Sequence, residues 1–258
     1  MRWQITGGRV IDPASHFDAV TDLFLADGRI VARGQRPDGF EPDRIIDASG
    51  KVVIPGLVDL SARLREPGQE TKGNIASETR AAAAGGITTL CIPPDTEPVI
   101  DTPGVADLIA RRASAAGHAR VRTLGALTRD LGGEQLAEMA LLRDQGHCVG
   151  VSNACAPVSS TRVMRRAMEY AASCRMTVFL HAEDPSLSAG GCVNEGAISN
   201  RLGLPGIPEA AETVAVARDL MLVEQTGVRA HFCHLSANHS VQMIARAIHD
   251  GLPVSMSV

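Results

Sequence analysis

Aromatic residues are scarce in this chain, which has one Trp, one Tyr and five Phe among 258 residues. The 25 basic and 29 acidic side chains leave a formal charge of -4, and the basic residues form no run. Nucleic-acid recognition depends on clustered cations and stacking aromatic rings, so this class of partner is disfavoured. Small metabolites and protein partners fit the composition better.

Neither paired cysteines nor long apolar segments are present. The six cysteines show no CxxC spacing, and no apolar run approaches the roughly 18 residues of a membrane span. The amino terminus, MRWQITGGRV, lacks the basic-then-apolar pattern of a secretory signal. We therefore expect a cytoplasmic protein without a membrane segment, whose cysteines are reduced and serve as small buried apolar residues.

The first 55 residues contain short alternating runs separated by turn residues. Asp27-Gly28, between LFLA and RIVA, predicts a two-residue hairpin, and Ser49-Gly50 before KVVI gives a weaker signal of the same kind. We predict a small antiparallel β module over residues 1–55.

From Gly56 onward, short apolar strands alternate with Ala-rich helical stretches, which is typical of βα repeats around a parallel sheet. Seven strands are predicted, near residues 57–63, 87–92, 121–126, 148–152, 176–181, 228–234 and 252–258. The count is one unit short of a (β/α)8 TIM-type barrel. Residues 56–258 are therefore expected to form such a barrel without its last βα unit, or a sheet that stays open. A nucleotide-binding doubly wound sheet is disfavoured because no GxGxxG follows the first strand.

The stretch at residues 51–68, KVVIPGLVDLSARLREPG, is the most unusual in the chain. Its alternation predicts a strand that places Ser61, Arg63 and Arg65 on one face. Two arginines in a barrel mouth need carboxylate partners or an anionic ligand, because an unpaired buried charge is costly. The expected internal partners are Asp59, Asp95 and Glu66.

Active groups of a βα barrel lie where its strands end. Besides Ser61, Arg63 and Arg65, the polar residues at the predicted ends are Asp95, Thr128, Arg129, Ser152, Asn153, His181, Glu183, Asp184, His231 and His234. Histidines, carboxylates and arginines together indicate a metal or anion site. His231 and His234 are three residues apart and so face opposite sides of a strand, and we interpret His231 as a packing residue.

Five separated segments resemble the dihydroorotase branch of the amidohydrolase superfamily: PGLVDLSARLREPG, NIASETRAAAAGG, ITTLCIPPDTEPVID, FLHAED and HFCHLSANHSV. The resemblance extends over essentially the whole chain, including the β module. It implies a (β/α)8 barrel of the amidohydrolase type. It also implies descent from zinc-dependent enzymes that interconvert N-carbamoyl-aspartate and dihydroorotate in pyrimidine synthesis.

The first strand departs from the family pattern at its metal site. The family has His-x-His-x-Arg there, with two zinc-binding histidines and an arginine that binds the substrate carboxylate. By resemblance Ser61 and Arg63 occupy the histidine positions, and only Arg65 matches. Serine is a poor zinc ligand, and a guanidinium that stays protonated places a positive charge where the cation would bind.

Two further family positions that bind substrate or metal also carry different residues here. Asp95 stands where the family has a substrate-binding Asn, and Asn153 falls in the segment that supplies a metal-binding carboxylate. His181 and His234 remain as relic ligands, fewer than the three protein ligands of a usual catalytic zinc site. The family's catalytic Asp, on the eighth strand, is expected beyond Val258, so no residue is assigned a catalytic role.

The resemblance therefore leaves three functions open. The first is a protein of de novo pyrimidine biosynthesis without zinc or catalysis, which acts as a structural subunit of aspartate transcarbamoylase in an oligomer. Catalytically silent members of the family assemble in that way. The second is an active zinc-dependent cyclic amidohydrolase with an altered metal site, and the third is a non-catalytic regulator that binds a metabolite in a pocket with Arg63, Arg65 and Asp95.

Overall fold

A computed structural model describes all residues from Met1 to Val258 and divides the chain into two compact units, Met1–Leu57 and Val58–Val258. None of the helices has the length and hydropathy required to cross a membrane.

The first unit is a five-stranded sheet built around its first strand. Its strands are β1 (Arg2–Asp12), β2 (Phe17–Ala26), β3 (Arg29–Arg33), β4 (Arg44–Asp47) and β5 (Val52–Val53). The predicted hairpin at Asp27-Gly28 is confirmed: β2 and β3 are antiparallel, and both turn residues have positive φ (50° and 75°). Phe24, which is 1% exposed, packs edge-to-face on Phe40 in the core of this unit.

The second predicted hairpin of this unit is wrong. β4 and β5 both pair with β1 in the parallel sense, one after the other along its length. The backbone amide of Lys51 donates a hydrogen bond to Ala48 O, so a turn does form near Ser49-Gly50, but it redirects the chain without reversing it. The β module is therefore mixed and not wholly antiparallel.

Unit two contains a seven-stranded sheet whose strands follow one another in chain order, with the first and the last at its edges. The strands are β6 (Leu57–Asp59), β7 (Ile87–Ile92), β8 (Arg120–Ala126), β9 (Gly150–Ser152), β10 (Thr177–His181), β13 (Ala230–Cys233) and β14 (Val254–Met256). The registers from β7 to β14 are parallel. The predicted βα architecture and its seven strands are confirmed.

Helices lie between these strands and bury their apolar faces against the sheet. They are α1 (Ile75–Ala84), α2 (Pro103–Ala116), α3 (Met139–Asp144), α4 (Thr161–Ser173), α7 (Ala210–Thr226) and α8 (Asn238–His249). The core combines strand residues such as Val151, Val178 and Phe232 with helix residues such as Met168 and Ile244, and all five are fully buried. Burial of these apolar side chains holds the layers together.

Two features of this unit differ from the sequence prediction. The first barrel strand ends at Asp59 and not near residue 63, so Ser61, Arg63 and Arg65 lie on the irregular segment that follows it. After β10 the chain also makes an unpredicted excursion of short elements: α5 (Pro185–Ser188), β11 (Val193–Asn194), α6 (Ala197–Leu202) and β12 (Gly206–Ile207).

Candidate functional site

The carboxyl ends of the strands surround a small cavity. Its lining includes Ser61, Arg63, Cys155, Phe179, His181, Cys233 and His234. Residues from four separate βα units thus meet at the position where barrel enzymes carry their active groups. The structure therefore brings together Ser61, Arg63, His181 and His234, which the sequence placed at strand ends.

The central contact of this mouth is an ion pair between Arg63 and Asp95. Arg63 Nε donates a hydrogen bond to Asp95 Oδ2 over 2.7 Å, and the two side chains are 31% and 28% exposed. Burial opposes the charge, but the hydrogen bond and negative charge of Asp95 raise the pKa of Arg63 above its usual value. Arg63 Nη2 also lies 3.4 Å from Cys155 Sγ. The guanidinium is therefore held over the mouth in its charged form.

Arg65 has no carboxylate partner, contrary to expectation. Its Nη1 donates to Gln69 Oε1 over 3.3 Å, while Glu66 instead pairs with Arg112 and accepts a hydrogen bond from the backbone amide of Ile75. Arg65 has φ of 65°, a left-handed conformation that is strained for a residue with a Cβ. It lines a cavity of about 60 Å³ together with Arg63, Gln69 and Asp95.

His181 and His234 face each other across the mouth, with ring centroids 5.9 Å apart. Nδ1 of His181 is buried without a hydrogen-bond partner, and its Nε2 lies 3.6 Å from Glu183 Oε2. Partial desolvation lowers the pKa of His234, and the charges of His181 and Arg63 lower it further. His234 also has a left-handed backbone, with φ of 56°. His234 thus favours the neutral form, and His181 keeps one ring nitrogen without a hydrogen-bond partner.

The polar atoms of the Asn153 side chain form hydrogen bonds within the protein, so they are not free to bind a metal. Its Oδ1 accepts a hydrogen bond from Thr128 Oγ1 over 2.6 Å, and its Nδ2 donates to the carbonyls of Leu131 and Ala156. The side chain is 6% exposed. Thr128, another predicted candidate, therefore serves to hold Asn153.

The donor set does not fit a catalytic zinc ion. No group of three or more His, Cys, Asp or Glu side chains is arranged to hold a metal. His181 and His234 supply only two nitrogens, because the oxygen of Asn153 is hydrogen-bonded to Thr128. Arg63 brings a fixed positive charge to the same mouth. A catalytic zinc site normally has three protein ligands and an open position.

The other polar residues predicted at strand ends have local structural partners. Arg129 pairs with Glu138, Ser152 Oγ donates to Phe179 O, and Asp184 accepts hydrogen bonds from the first amides of α5. His231 is 6% exposed, and its ring nitrogens lie 2.9 Å from Ser255 Oγ and 3.2 Å from Ser257 Oγ. The packing role predicted for His231 is confirmed.

The cysteines are only partly as expected. Cys91, Cys148 and Cys174 are buried, and burial raises the pKa of Cys91 and Cys148. Burial raises the pKa of Cys233 to about 11. Cys155 and Cys192 are exposed, so their predicted burial is wrong: both lie in irregular segments whose orientation the sequence pattern does not determine.

One structural carboxylate beside the mouth was missed by sequence reasoning. Glu212 on α7 accepts hydrogen bonds from the amide and hydroxyl of Ser236 and from the amide of Ala237, at 2.7 to 3.0 Å. It thereby fixes the segment between His234 and the start of α8. It borders a cavity of about 360 Å³ that also includes His181, Glu183 and His234. No signal could have revealed this, because Glu212 and Ser236 are 24 residues apart.

Comparison with solved structures identifies barrel proteins that share the fold of this chain. L-hydantoinase (dihydropyrimidinase) from Arthrobacter aurescens superposes with a TM-score of 0.79 at 23% identity, over 98% of this chain and 57% of that one. D-hydantoinase from a Thermus species gives a TM-score of 0.74 at 21% identity, over 98% of this chain and 57% of the other. At these identities the likeness establishes the fold.

Sequence relatives are more specific. The family model described as dihydro-orotase-like matches residues 50–240. A dihydroorotase-like protein of Pseudomonas aeruginosa is 54% identical over 258 residues, which is 100% of this chain and 61% of that protein. A dihydroorotase of Anaeromyxobacter dehalogenans strain 2CP-C is 46% identical over 254 residues, 98% of this chain and 58% of the relative. The chain thus spans about 60% of the length of the curated relatives it matches, and it belongs to the dihydroorotase family of the amidohydrolase superfamily.

Proposed function

We propose that the protein is a dihydroorotase-family member of de novo pyrimidine biosynthesis that has lost zinc and catalysis and serves as a structural subunit of aspartate transcarbamoylase. The observation that carries the proposal is the Arg63–Asp95 ion pair in the barrel mouth, 2.7 Å between Nε and Oδ2. The positions at which the family holds zinc and substrate have become partners of each other.

Electrostatics disfavours a bound zinc ion beside this pair. The guanidinium repels a divalent cation, and Asp95, which it holds by a hydrogen bond, is not free to coordinate one. Arginine cannot relieve this repulsion by losing a proton. His181 and His234 would have to offset the repulsion as well as the missing ligands.

Substrate recognition is altered in the same region. The residue that stands in place of the family's substrate-binding Asn is Asp95, and its carboxylate repels the carboxylates of dihydroorotate and carbamoyl-aspartate. Pairing with Arg63 satisfies Asp95 within the protein. The pair therefore disfavours both the metal and the substrate, which supports loss of turnover as one coordinated change.

The assembly role rests on the family resemblance, because catalytically silent members of the family assemble with this enzyme. It is tested by mixing the purified protein with the aspartate transcarbamoylase catalytic chain of the same organism. Analytical ultracentrifugation should show a stable complex with increased thermal stability of the catalytic chain. A mixture that sediments as two separate species, with the transcarbamoylase unchanged in stability and activity, would contradict the role.

Arg65 favours a second candidate, a regulator that binds an anionic metabolite without turnover. Its guanidinium forms no ion pair and lines a cavity with Gln69 and Thr96. Calorimetric titration with orotate and carbamoyl-aspartate tests this function. Binding that is lost in Arg65→Ala and kept in Arg80→Ala, an exposed arginine on α1, supports a regulator. Absence of a binding heat with both ligands would contradict the regulator function.

A working zinc hydrolase remains the competing enzyme function. It would require a third ligand to join His181 and His234. Metal content of the purified protein separates this function from the structural subunit, because a hydrolase of this family needs its zinc in stoichiometric amount.

A further inference from the structure

The outer face of α7 is apolar along most of its length. Its inner residues, including Ala215, Val216 and Val223, are buried against the sheet and neighbouring helices. The outward positions Ala210, Val214, Ala217 and Met221 are all exposed, with Val214 at 49% and Met221 at 65%. Their spacing of four, three and four residues places them in one stripe along the helix. We call these four residues the α7 stripe.

No exposed charge interrupts the α7 stripe. The first exposed charged residue after Ala210 on this helix is Glu224, which lies beyond Met221. Leu187 of α5, 39% exposed, adds apolar surface near the start of α7, because the amide of Asp184 donates a hydrogen bond to Ala211 O. The stripe spans about 16 Å, or three helical turns.

Other helices of the barrel present charges outward. α4 exposes Arg162, Arg165, Arg166 and Glu169, and α8 exposes His239 and Arg246. Solvent-facing helix surfaces are normally polar in this way, so a helix that is apolar on both sides is expected to be covered on both sides. The α7 stripe departs from this polar pattern.

Charges beside the stripe indicate what covers it. α4 packs beside α7, and Arg218 Nη1 of α7 donates to Val158 O just before α4. Arg165 pairs with Glu169, whereas Arg162 and Arg166 form no ion pair. On the opposite side, α8 also packs against α7, and its cations are matched: His239 lies by Glu209 and Arg246 by Asp250. Two arginines without carboxylate partners thus lie on the exposed surface of the helix that packs beside α7.

We propose that the α7 stripe docks an amphipathic helix of a partner protein, whose apolar face is bordered by carboxylates that meet Arg162 and Arg166. A second copy of this chain fits less well. Two α7 helices packed antiparallel across a two-fold axis would set the α4 arginines of both copies against each other. The inference deepens the proposed function, since it assigns the surface through which a subunit without catalysis would assemble.

Two designed peptides of about 18 residues test the chemistry of this surface, a length at which a helix is stable enough to use as a probe. They share one leucine stripe and differ only in its border, glutamate in one and lysine in the other. Fluorescence anisotropy should show that the wild-type protein prefers the glutamate peptide. Val214→Asp with Met221→Asp should weaken this binding about tenfold or more, which corresponds to about 1.4 kcal/mol. Ser114→Asp on the exposed face of α2 is the matched control and should leave it unchanged.

Reversal of the border charges gives the more specific readout. Arg162→Glu with Arg166→Glu should switch the preference to the lysine peptide. Equal binding of both peptides, no binding of either, or indifference to the arginine reversal would overturn the inference. Self-association of the protein that Val214→Asp abolishes would assign the surface to a second copy and overturn it too.

The same variants separate this inference from the proposed function. If the transcarbamoylase catalytic chain binds wild type and the Val214→Asp, Met221→Asp protein equally well, the α7 surface is wrong and the subunit role stands. If the catalytic chain binds neither protein while the peptide preferences hold, the surface stands and the subunit role is wrong.

Discussion

Arg63 and Asp95 lie 32 residues apart in sequence and form a 2.7 Å ion pair between Nε and Oδ2 in the barrel mouth. In the resemblance to active dihydroorotases, Arg63 stands at a zinc-binding position and Asp95 at a substrate-binding position. Their contact means that neither change is isolated. Each residue supplies the charge that would otherwise leave the other unmatched in the mouth.

The Arg63–Asp95 pair should contribute measurably to stability. A double-mutant cycle with Arg63→Ala and Asp95→Ala, followed by urea denaturation, should give a coupling energy of about 1 kcal/mol, because both groups are partly shielded from water. The matched cycle on the exposed Arg165 and Glu169 pair of α4 should give less than about 0.5 kcal/mol. Equal coupling energies in the two cycles would show that the Arg63–Asp95 pair is no stronger than an exposed surface pair.

Restoring the family histidines should restore metal affinity but not turnover. Ser61→His with Arg63→His removes the guanidinium and adds two imidazoles near His181 and His234, so zinc should bind at least about tenfold more tightly. Asp95, now unpaired, would still repel an anionic substrate, and we expect no hydrolysis of dihydroorotate. Adding His181→Ala to the double variant is the control and should reverse the gain. Turnover by the double variant would mean that Asp95 does not block the substrate.

Glu212 should stabilise the protein at neutral pH and lose this effect in acid. Partial burial opposes its charge, but the hydrogen bonds from Ser236 and Ala237 keep the pKa of Glu212 below its usual value. A carboxyl pKa lowered on folding adds stability that is fully present above the unfolded pKa, about 4.5, and is lost as pH falls through the folded value. Glu212→Gln should therefore cost about 1 kcal/mol at pH 7, since solvent screens this partly exposed carboxylate, and progressively less below pH 4.5. A cost that stays constant from pH 7 to about pH 3 would contradict this.

His231 should make stability depend on pH in a higher range. Burial lowers the pKa of His231, and the charge of His234 lowers it further, so the folded protein favours the neutral ring between Ser255 and Ser257. The unfolded chain then binds more protons, and stability should fall as pH drops below about 6.5 toward the folded pKa. His231→Asn should flatten the dependence in that window. An exposed histidine on α8, His249, provides the control, since His249→Asn should leave the profile unchanged.

The parts of the fold that were predictable are those with local signals. Alternation and turn chemistry located the Asp27-Gly28 hairpin and the seven barrel strands, because each depends on a few consecutive residues. The excursion over residues 185–208 was not predictable, since its elements are two to six residues long and carry no period. The end of β6 was misplaced because SARLR alternates as a strand would, although its backbone leaves the sheet after Asp59.

The site was predictable as a set of residues but not as a set of contacts. Resemblance identified Ser61, Arg63, His181 and His234, and the cost of a buried charge indicated a carboxylate partner for Arg63. Which carboxylate it would be depends on side-chain geometry. Arg65 illustrates this limit, because Glu66 is adjacent in sequence yet pairs with Arg112 of α2.

Metal content tests the central claim most directly. The purified protein, prepared without chelators and analysed by inductively coupled plasma mass spectrometry, should contain far less than one zinc ion per chain, because Arg63 and Asp95 satisfy each other where a metal and substrate would bind. Incubation with excess zinc followed by gel filtration should leave the zinc content far below one ion per chain. One tightly held zinc per chain, lost in His181→Ala or His234→Ala, would contradict the account.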